Sequence, residues 1–323
     1  MAVLKTSSAK TGGRTTRRAA EGIAAANEAG LEARPLITPP ERPEIEGRPL
    51  DASNIGEVER PLSPWERLIN ISGVRRLLIL VALAVAWQAY GTYVDNPLMF
   101  PTFVETMTAL GTSILDGELP ARALSSLYVL LIGYVIGIAL AALLTSIAVS
   151  SRIGTDILST LTSMFNPLPA IALLPLALLW FGLGIPSLVF VLVHSVLWPV
   201  SLNTHSGFLA VSETLRMAGR NYGLRGLNYV TRILVPAAFP SILSGLKIGW
   251  AFAWRTLIAA ELVFGVSSSS GGIGWYIFEN RNQLEIANVF AGLLAVILIG
   301  LFVESVVFRT VERHTVYKWG MQR

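Results

Sequence analysis

Ionisable side chains inside long apolar stretches are the residues of this sequence best placed to do chemistry. Arg255 and Glu261 share one such stretch, and His194 lies in another. A charge at the centre of a lipid bilayer costs about 2.5–3.5 kcal/mol on insertion scales, so such groups should face protein or a water-filled path. Arg255 is therefore expected either to attract an anion or to pair with an acidic residue on another helix.

Structural roles compete with functional ones for the other ionisable groups. Arg255 and Glu261 are six residues apart, on roughly opposite faces of a helix, so we expect no direct pair. Glu261 is expected to accept structural hydrogen bonds near the outer membrane face, because a bare carboxylate repels an anion. His194 either lines a path or is a hydrogen-bonded buried imidazole, and the second interpretation is favoured. Lys247 is expected to snorkel to the inner interface.

Metal and nucleophile chemistry find little support in the residue types. The histidines, at positions 194, 205 and 314, lack the H-E-x-x-H spacing, and the sequence contains no cysteine. Ser195 is adjacent to His194 in sequence, which does not make a positioned catalytic dyad. The phosphate-binding motif G-x-x-x-x-G-K-[ST] does not occur. We therefore expect no catalytic residue, metal or bound cofactor on this chain, and an intramembrane enzyme is the weakest hypothesis.

Composition identifies the setting of these residues as a membrane. Of 323 residues, 53% are hydrophobic and 14% are charged, and the mean hydropathy is +0.58. An ordinary soluble domain carries about 25% charged residues, so this chain cannot solvate a globular surface. The charges are concentrated in the first 76 residues, which hold 12 Lys/Arg and 10 Asp/Glu. Residues 1–60 are expected to be a disordered cytoplasmic tail, with a cleaved transit peptide less favoured, and residues 61–76 an interfacial helix.

The apolar stretches predict an all-α polytopic membrane protein with six transmembrane helices. Crossing the hydrocarbon core takes about 20 apolar residues in a helix. The expected spans are residues 77–94, a second span between Arg122 and Arg152, a helical hairpin between Asp156 and Glu213 that turns at residues 182–186, residues 242–266, and residues 286–307. Most remaining cations fall on alternate connections, so the positive-inside rule predicts that both termini are cytoplasmic.

One cytoplasmic connection, residues 212–236, has its own helical pattern. Ser212 can cap a short amphipathic helix with Glu213 in its first turn, and Gly223 can end that helix. A second helical stripe follows and is expected to end at Pro236. Two short helices joined at a glycine would form a rigid projection to which a soluble partner could bind. An ordinary ordered loop is an equally open interpretation of the periodicity alone.

The same connection resembles the E-A-A…G…I-x-L-P coupling motif of binding-protein-dependent ABC importer permeases. Met217, Gly219 and Val235 depart from the usual Glu, Ala and Leu. The glycine, isoleucine and proline landmarks are intact, so the resemblance implies that this segment docks an ATPase. The residues predicted to take part in ATPase coupling are Glu213, Met217, Ala218, Gly219, Gly223, Ile233 and Pro236.

Four further segments are similar to the nitrate/sulfonate/taurine/bicarbonate branch of these permeases: residues 166–176, 179–182, 254–261 and 272–274. The resemblance covers about residues 77–323 and implies a type I ABC importer permease fold. It also implies the partners: a second permease copy, most simply in a homodimer, two cytoplasmic ATP-binding subunits that hold ATP and Mg, and an external solute-binding protein. The implied location is the bacterial inner membrane.

Proline-rich sequence in the third span points to the transport path. Pro167, Pro169 and Pro175 lie within nine residues, and such breaks are tolerated in membranes where the freed carbonyls face protein or a water-filled cavity. A kinked packing helix is the alternative. The residues expected on the path are Asn166, Pro167, Pro169, His194, Arg255 and Glu261.

Together these patterns predict a permease subunit that imports a small anionic or zwitterionic solute. The main alternative is an integral subunit that anchors a membrane complex without transporting anything.

Overall fold

The computed structural model describes Glu66 and residues 70–264 and 271–318. The predicted tail of residues 1–60 and most of the predicted interfacial helix of residues 61–76 lie outside the described residues. Glu66–Arg323 belongs to one compact unit of the chain. Every regular element in the described ranges is helical, which confirms the all-α prediction for this part of the chain.

The α-helices are, in chain order, α1 (Ser72–Val94), α2 (Phe103–Leu115), α3 (Glu118–Ser150), α4 (Arg152–Phe165), α5 (Leu174–Phe181), α6 (Ile185–Leu209), α7 (Glu213–Asn221), α8 (Gly226–Tyr229), α9 (Val235–Phe264), α10 (Ile273–Asn282), α11 (Ile286–Phe302) and α12 (Arg309–Glu312). A 3₁₀ turn, Ala170–Leu173, precedes α5. Wider π turns connect or extend helices at Val230–Leu234, Val303–Phe308 and Arg313–Tyr317.

Five continuous helical stretches of the described chain are long and apolar enough to cross a membrane, and a bent helix pair brings the number to as many as six. The continuous stretches are α1, α3, α6, Val230–Val263 and Ile286–Val316. The bent pair is α4 with the segment Ala170–Phe181, which turn by 87° relative to each other. Prolines 167 and 169 lie at the break. They account for the interruption, because proline removes a backbone donor and disfavours helix in the residue before it.

The turn between the halves of the predicted hairpin has the expected glycine chemistry. Gly182 has a φ of 72° and Gly184 a φ of 150°, conformations that side chains with a Cβ rarely adopt. The Ser187 hydroxyl donates hydrogen bonds to the carbonyls of Ala177 (3.1 Å) and Gly182 (2.5 Å), which fixes the start of α6 against the end of α5.

Two short helices outside the spans, α2 and α10, were not predicted. α2 follows α1 and begins with a capping box, in which Thr102 and Glu105 exchange side-chain and backbone hydrogen bonds. α10 lies between α9 and α11. Both are shorter than a membrane crossing, so span-length reasoning could not detect them.

α6 lies between α3 and α9 and is the most buried of the described continuous spans, with 56% of its apolar stretch buried against 6% for α1. The α3 contact depends on Gly133 and Gly137. A Cβ at Gly133 would lie 2.6 Å from Leu192, and one at Gly137 would lie 2.7 Å from Val196. This G-x-x-x-G pair therefore lets the two helices approach closely.

The prediction that a helix ends at Pro236 is wrong. Helical structure continues from the π turn Val230–Leu234 directly into α9, and Pro236 is the second residue of that helix. The Val235 N–H bonds to the Val230 carbonyl, five residues back. Pro236 lies where the hydrogen bonding changes from the π pattern back to the α-helical pattern. A residue at that junction does not need to donate a backbone N–H, so proline is tolerated there.

Candidate functional site

The helix α7 begins and ends with defined caps. The Ser212 hydroxyl accepts a hydrogen bond from the Leu215 N–H (3.4 Å), and Glu213 occupies the first turn. At the other end, the N–H of Leu224 bonds to the Gly219 carbonyl (3.1 Å) and that of Gly223 to the Arg220 carbonyl (2.9 Å). This is a Schellman motif, and Gly223 supplies its left-handed residue with a φ of 73°.

Because Gly219 has no side chain, α7 packs closely against the π turn that leads into α9. A Cβ at Gly219 would lie 2.9 Å from the Ile233 side chain and 3.1 Å from the Tyr229 ring. The structure therefore brings two positions of the motif, Gly219 and Ile233, into one contact. It also explains why glycine replaces the usual alanine here, since even a methyl group would require the neighbours to move.

A small apolar core anchors the segment 212–236 to the spans. Phe208 and Val211 at the end of α6 pack with Leu234 and Ala238 around the start of α9. Leu234 is completely buried. The outer surface of α7 carries exposed Met217 and, just beyond its end, exposed Tyr222, so apolar side chains face outward from a rigid base.

Arg216 is a further residue of this segment that sequence reasoning missed. Its guanidinium donates to the carbonyls of Phe208 (2.5 Å) and Val211 (3.1 Å), and it lies 4.0 Å from the Glu213 carboxylate. These carbonyls belong to the last turn of α6 and the residues after it, where helices lack internal donors. Arg216 thus ties α7 to the end of α6, a contact with no local sequence signature.

A cavity of about 320 Å³ opens between the broken third span, α6 and α9. Five of the six residues predicted for the path line it, namely Asn166, Pro167, Pro169, His194 and Arg255. The other lining residues are Leu168, Ala170, Ile171, Ser195, Trp198, Pro199, Phe252, Thr256 and Ala259. Ser195 and Thr256 are joined across the cavity wall by a hydrogen bond of 3.1 Å.

Among the described residues that line the cavity, Arg255 is the one formally charged residue and none is acidic. Its Nε donates to the Ala251 carbonyl (3.0 Å), and its guanidinium lies 5.0 Å from the centre of the Phe252 ring. Within the described part of the chain, no carboxylate lies within salt-bridge distance of it. Of the two predicted roles, attraction of an anion fits this surrounding better than pairing with an acid.

The favoured interpretation of His194 as a hydrogen-bonded imidazole does not match the structure. Neither ring nitrogen has a hydrogen-bond partner among the described residues, although both atoms are buried. The ring instead makes edge contacts with Phe165 and Trp198, at centroid distances of 6.4 and 6.1 Å.

Glu261 lies apart from the cavity. Its carboxylate is almost completely buried and accepts hydrogen bonds from the Ser126 hydroxyl and the Gly274 N–H, all at 2.9 Å. Ser126 in turn accepts from the Ile273 N–H (2.9 Å). Glu261 therefore joins α9 to α3 and to the start of α10, which is a structural role.

The expected extension of Lys247 to the inner interface stays a prediction, and the structure adds a partner for its charge. Its ammonium forms an ion pair of 2.9 Å with Glu312, so it connects α9 to α12.

No group of three or more His, Asp or Glu side chains that could hold a metal ion occurs among the described residues.

Comparison with known proteins identifies the family. Residues 133–314 match the family described as "Binding-protein-dependent transport system inner membrane component". The chain is 30% identical to a putative ABC transporter permease protein of Methanocaldococcus jannaschii over 245 residues, 73% of this chain and 89% of that protein. It is 29% identical to a putative aliphatic sulfonates transport permease of Bacillus subtilis, covering 76% and 87% of the two chains. It is 28% identical to a nitrate import permease of Synechocystis, covering 76% and 90%. The chain therefore belongs to the binding-protein-dependent inner-membrane permease family, a family of multi-pass transport permeases and not of enzymes.

Proposed function

We propose that this chain is the membrane subunit of an ATP-driven importer, forms its translocation path and couples that path to a separate ATPase. The proposal rests on how the segment 212–236 is attached to the spans. Gly219 packs on Ile233, and Arg216 binds the end of α6. A projection fixed to two spans at once can move them when a partner moves it. This property is what a coupling element needs and an ordinary loop lacks.

The exposed apolar residues of α7 are the proposed contact with the ATPase. Met217 on α7 is 51% exposed, Tyr222 just beyond the end of α7 is 86% exposed, and Gly219 of the same helix is buried. Exposed aromatic and methionine side chains on a rigid base are typical anchors of protein interfaces. ATP and Mg would bind to the partner, because this chain carries no phosphate-binding motif.

Six spans with both termini cytoplasmic are the proposed topology, counting α4 with α5 as one broken span. The connection containing α7 carries Arg216, Arg220 and Arg225. The connection between α5 and α6 carries no basic residue. The positive-inside rule therefore places α7 in the cytoplasm. Residues 1–60 are then a cytoplasmic tail, and residues 77–323 form the permease domain.

The proposed solute is a small anion or zwitterion of the sulfonate, taurine, nitrate or bicarbonate type. Relatives are named for aliphatic sulfonates, nitrate and taurine, and the chain matches them over about three quarters of its length. In addition, the described lining of the cavity contains one cation, Arg255, and no acidic residue. A positive charge without an acidic neighbour attracts anions.

The proposed assembly is a homodimer of this chain with two ATP-binding subunits, in the bacterial inner membrane. An external solute-binding protein would deliver the solute. The alternative, an integral subunit that only anchors a complex, leaves the unpaired arginine and the open cavity without a role.

The test is to isolate the complex and disrupt the segment 212–236. Gly223→Val strains the left-handed residue, and Pro236→Ala alters the junction with α9. We expect both variants to capture less ATPase and to lose ATP-driven uptake, while a Gly111→Val variant, at a glycine with open space around it, keeps both. If ATPase capture and uptake are unchanged in both variants, residues 212–236 are not the coupling element. Capture of the ATPase without uptake of any solute would favour the anchoring alternative.

A further inference from the structure

An ion pair joins two of the membrane-spanning stretches. Lys247 belongs to α9, and Glu312 belongs to α12 within the final helical stretch, Ile286–Val316. Their charged atoms are 2.9 Å apart, and each side chain is 26% exposed. Fully exposed ion pairs contribute little to stability, but in a pair this shielded the loss of one partner leaves a poorly solvated charge. Charged groups inside membrane spans are costly and commonly mark functional positions.

The same turn of α9 is also fixed to α3. The Tyr134 hydroxyl of α3 donates to the Leu246 carbonyl (2.9 Å), and the Tyr134 ring meets Trp250 edge-on at a centroid distance of 5.3 Å. Trp250 in turn lies 6.3 Å from the ring of Phe308 in the final stretch. One turn of α9 therefore contacts both α3 and the final stretch, and the ion pair lies at this junction.

Unbroken helix connects the junction to the coupling segment 212–236. Residues Val230–Val263 form one helical stretch, and Lys247 lies about 25 Å beyond its first residue at about 1.5 Å per residue. Ile233, in the same stretch, contacts Gly219 of α7. A movement of α7 can therefore reach Lys247 without crossing a loop.

The final stretch is irregular on both sides of Glu312. The π turn Val303–Phe308 separates α12 from α11, and the π turn Arg313–Tyr317 follows α12. A π turn interrupts the regular hydrogen bonding of a helix and is often found at functional sites. Contacts outside the final stretch therefore help to set the position of Glu312, and the ion pair is one of them.

The other end of the final stretch contacts different helices. A Cβ at Gly292 would lie 2.7 Å from the Ile277 side chain of α10, and the Phe290 ring lies 5.7 Å from that of Trp87 in α1. The final stretch thus contacts α9 near one end and α10 and α1 near the other. On the proposed topology, these ends are the cytoplasmic and the external end.

We infer that Lys247 and Glu312 are positioning residues for coupled transport, because their ion pair passes movement of α9 to the final stretch and so to α10. This inference rests on the proposed function, since the movement of α9 begins at the coupling segment. A pair that only stabilised the fold would change the amount of folded permease and leave the response of α10 to ATP unaltered.

The experiment measures movement beside α10 directly. Gln283→Cys places a single thiol at the exposed C-cap of α10, because the chain has no cysteine of its own. A nitroxide is attached to it, the permease is assembled with the ATPase and the solute-binding protein, and electron paramagnetic resonance spectra are recorded with and without ATP. ATP hydrolysis and solute uptake are measured in the same proteoliposomes.

Two neutral substitutions are compared in this labelled parent. Glu312→Gln removes the charge that faces Lys247. Glu304→Gln is the matched control, the same change at an exposed glutamate of the final stretch that lies outside salt-bridge distance of every described basic residue. We expect ATP to alter the spectra of the parent and of Glu304→Gln. In Glu312→Gln the spectral change and the uptake per ATP should both be at least about threefold smaller, because a neutral amide holds the ammonium less strongly.

A charge exchange separates pairing from folding. Lys247→Glu combined with Glu312→Lys restores opposite charges in reversed order. We expect the double variant to regain at least about half of the parent's spectral change and uptake per ATP, which neither single reversal regains, because the two sites are coupled. Permease abundance and ATPase capture are measured for each variant.

The inference is overturned if Glu312→Gln responds to ATP like Glu304→Gln, or if ATP leaves the spectrum of the parent unchanged. A double variant that responds no better than the single reversals at equal abundance would likewise overturn it. By contrast, a parent complex whose spectrum responds to ATP but which imports no solute counts against the proposed function, while the spectra still decide whether the pair passes movement to α10.

Discussion

At the scale of single residues, the surroundings of Arg255 argue most directly for an anionic solute. The guanidinium faces a cavity, rests on an aromatic ring and has no acidic partner among the described residues. An arginine in a membrane span normally pairs with another group or faces water. A solute anion would supply the countercharge at this position.

Replacement of Arg255 tests that role. We expect Arg255→Ala to lower ATP-driven uptake at least about tenfold, equivalent to about 1.4 kcal/mol, because the anion loses its countercharge. Arg255→Lys should keep part of the activity, since the positive charge remains while the planar guanidinium group with its several N–H donors is lost. Initial uptake rates, normalised to the amount of permease in the membrane, provide the measurement. Equal rates for wild type and Arg255→Ala at equal abundance would exclude Arg255 from the solute path.

Arg216 allows coupling to be tested separately from folding. Arg216→Lys keeps the charge but cannot reproduce the two carbonyl bonds at the end of α6. We expect the ATPase still to bind and hydrolyse ATP, while solute imported per ATP falls about threefold or more, because motion of α7 passes less completely to α6.

The control for Arg216 is Arg220→Lys, an equivalent change at an exposed position of α7. The measurement is uptake and ATP hydrolysis in the same proteoliposomes. An unchanged ratio in Arg216→Lys would show that the contact with α6 does not transmit motion.

Residue types predicted some of these positions and missed others, for a physical reason. An unpaired arginine in an apolar stretch is visible in the sequence because its insertion is costly, and Gly223 is visible because few residues tolerate a positive φ. The partners of Arg216 are backbone carbonyls, which every residue has. Their need for donors arises only once α6 ends beside α7, so no residue pattern marks this contact.

At the scale of elements, the packing of α7 on the π turn decides whether the coupling segment is rigid. Gly219→Ala would place a methyl group 2.9 Å from Ile233 and so push α7 away from its base. We expect ATPase capture and uptake to fall together, because overpacking of this kind costs about 1–3 kcal/mol. Gly111→Ala makes the same change at a helical glycine with no atom near the new methyl group.

ATPase co-purification and uptake are compared between the two alanine variants. A Gly219→Ala complex that behaves like Gly111→Ala would mean that the close contact with Ile233 is not needed for coupling.

The elements also show where sequence patterns stop being informative. Three prolines predicted that the third span is interrupted, but the 87° bend depends on how α5 packs against α6. Pro236 predicted a helix end, whereas the preceding π turn accommodates it inside a continuous helix. Proline marks a place where helical bonding changes, and the surrounding packing decides whether the helix stops, bends or continues.

At the scale of the whole molecule, the proposed topology makes a prediction about opposite ends of the spans. Arg220 on α7 and Asp116 between α2 and α3 are both exposed, and we place them on the cytoplasmic and the external side. In intact cells, a membrane-impermeant maleimide should label Asp116→Cys but not Arg220→Cys. Permeabilised cells should show labelling of both. Labelling of Arg220→Cys in intact cells would reverse the orientation, and labelling of both variants there would contradict the span count.

The central claim concerns what the assembled molecule does, so reconstitution tests it most directly. The permease, its ATPase and its solute-binding protein are placed in proteoliposomes and supplied with taurine, an alkanesulfonate, nitrate or bicarbonate, with and without ATP. We expect at least one of these solutes to accumulate inside only when ATP is hydrolysed, and Arg255→Ala to reduce that accumulation. A fully assembled complex that hydrolyses ATP but accumulates none of the four solutes would contradict the claim that this chain is an importer of small anions or zwitterions.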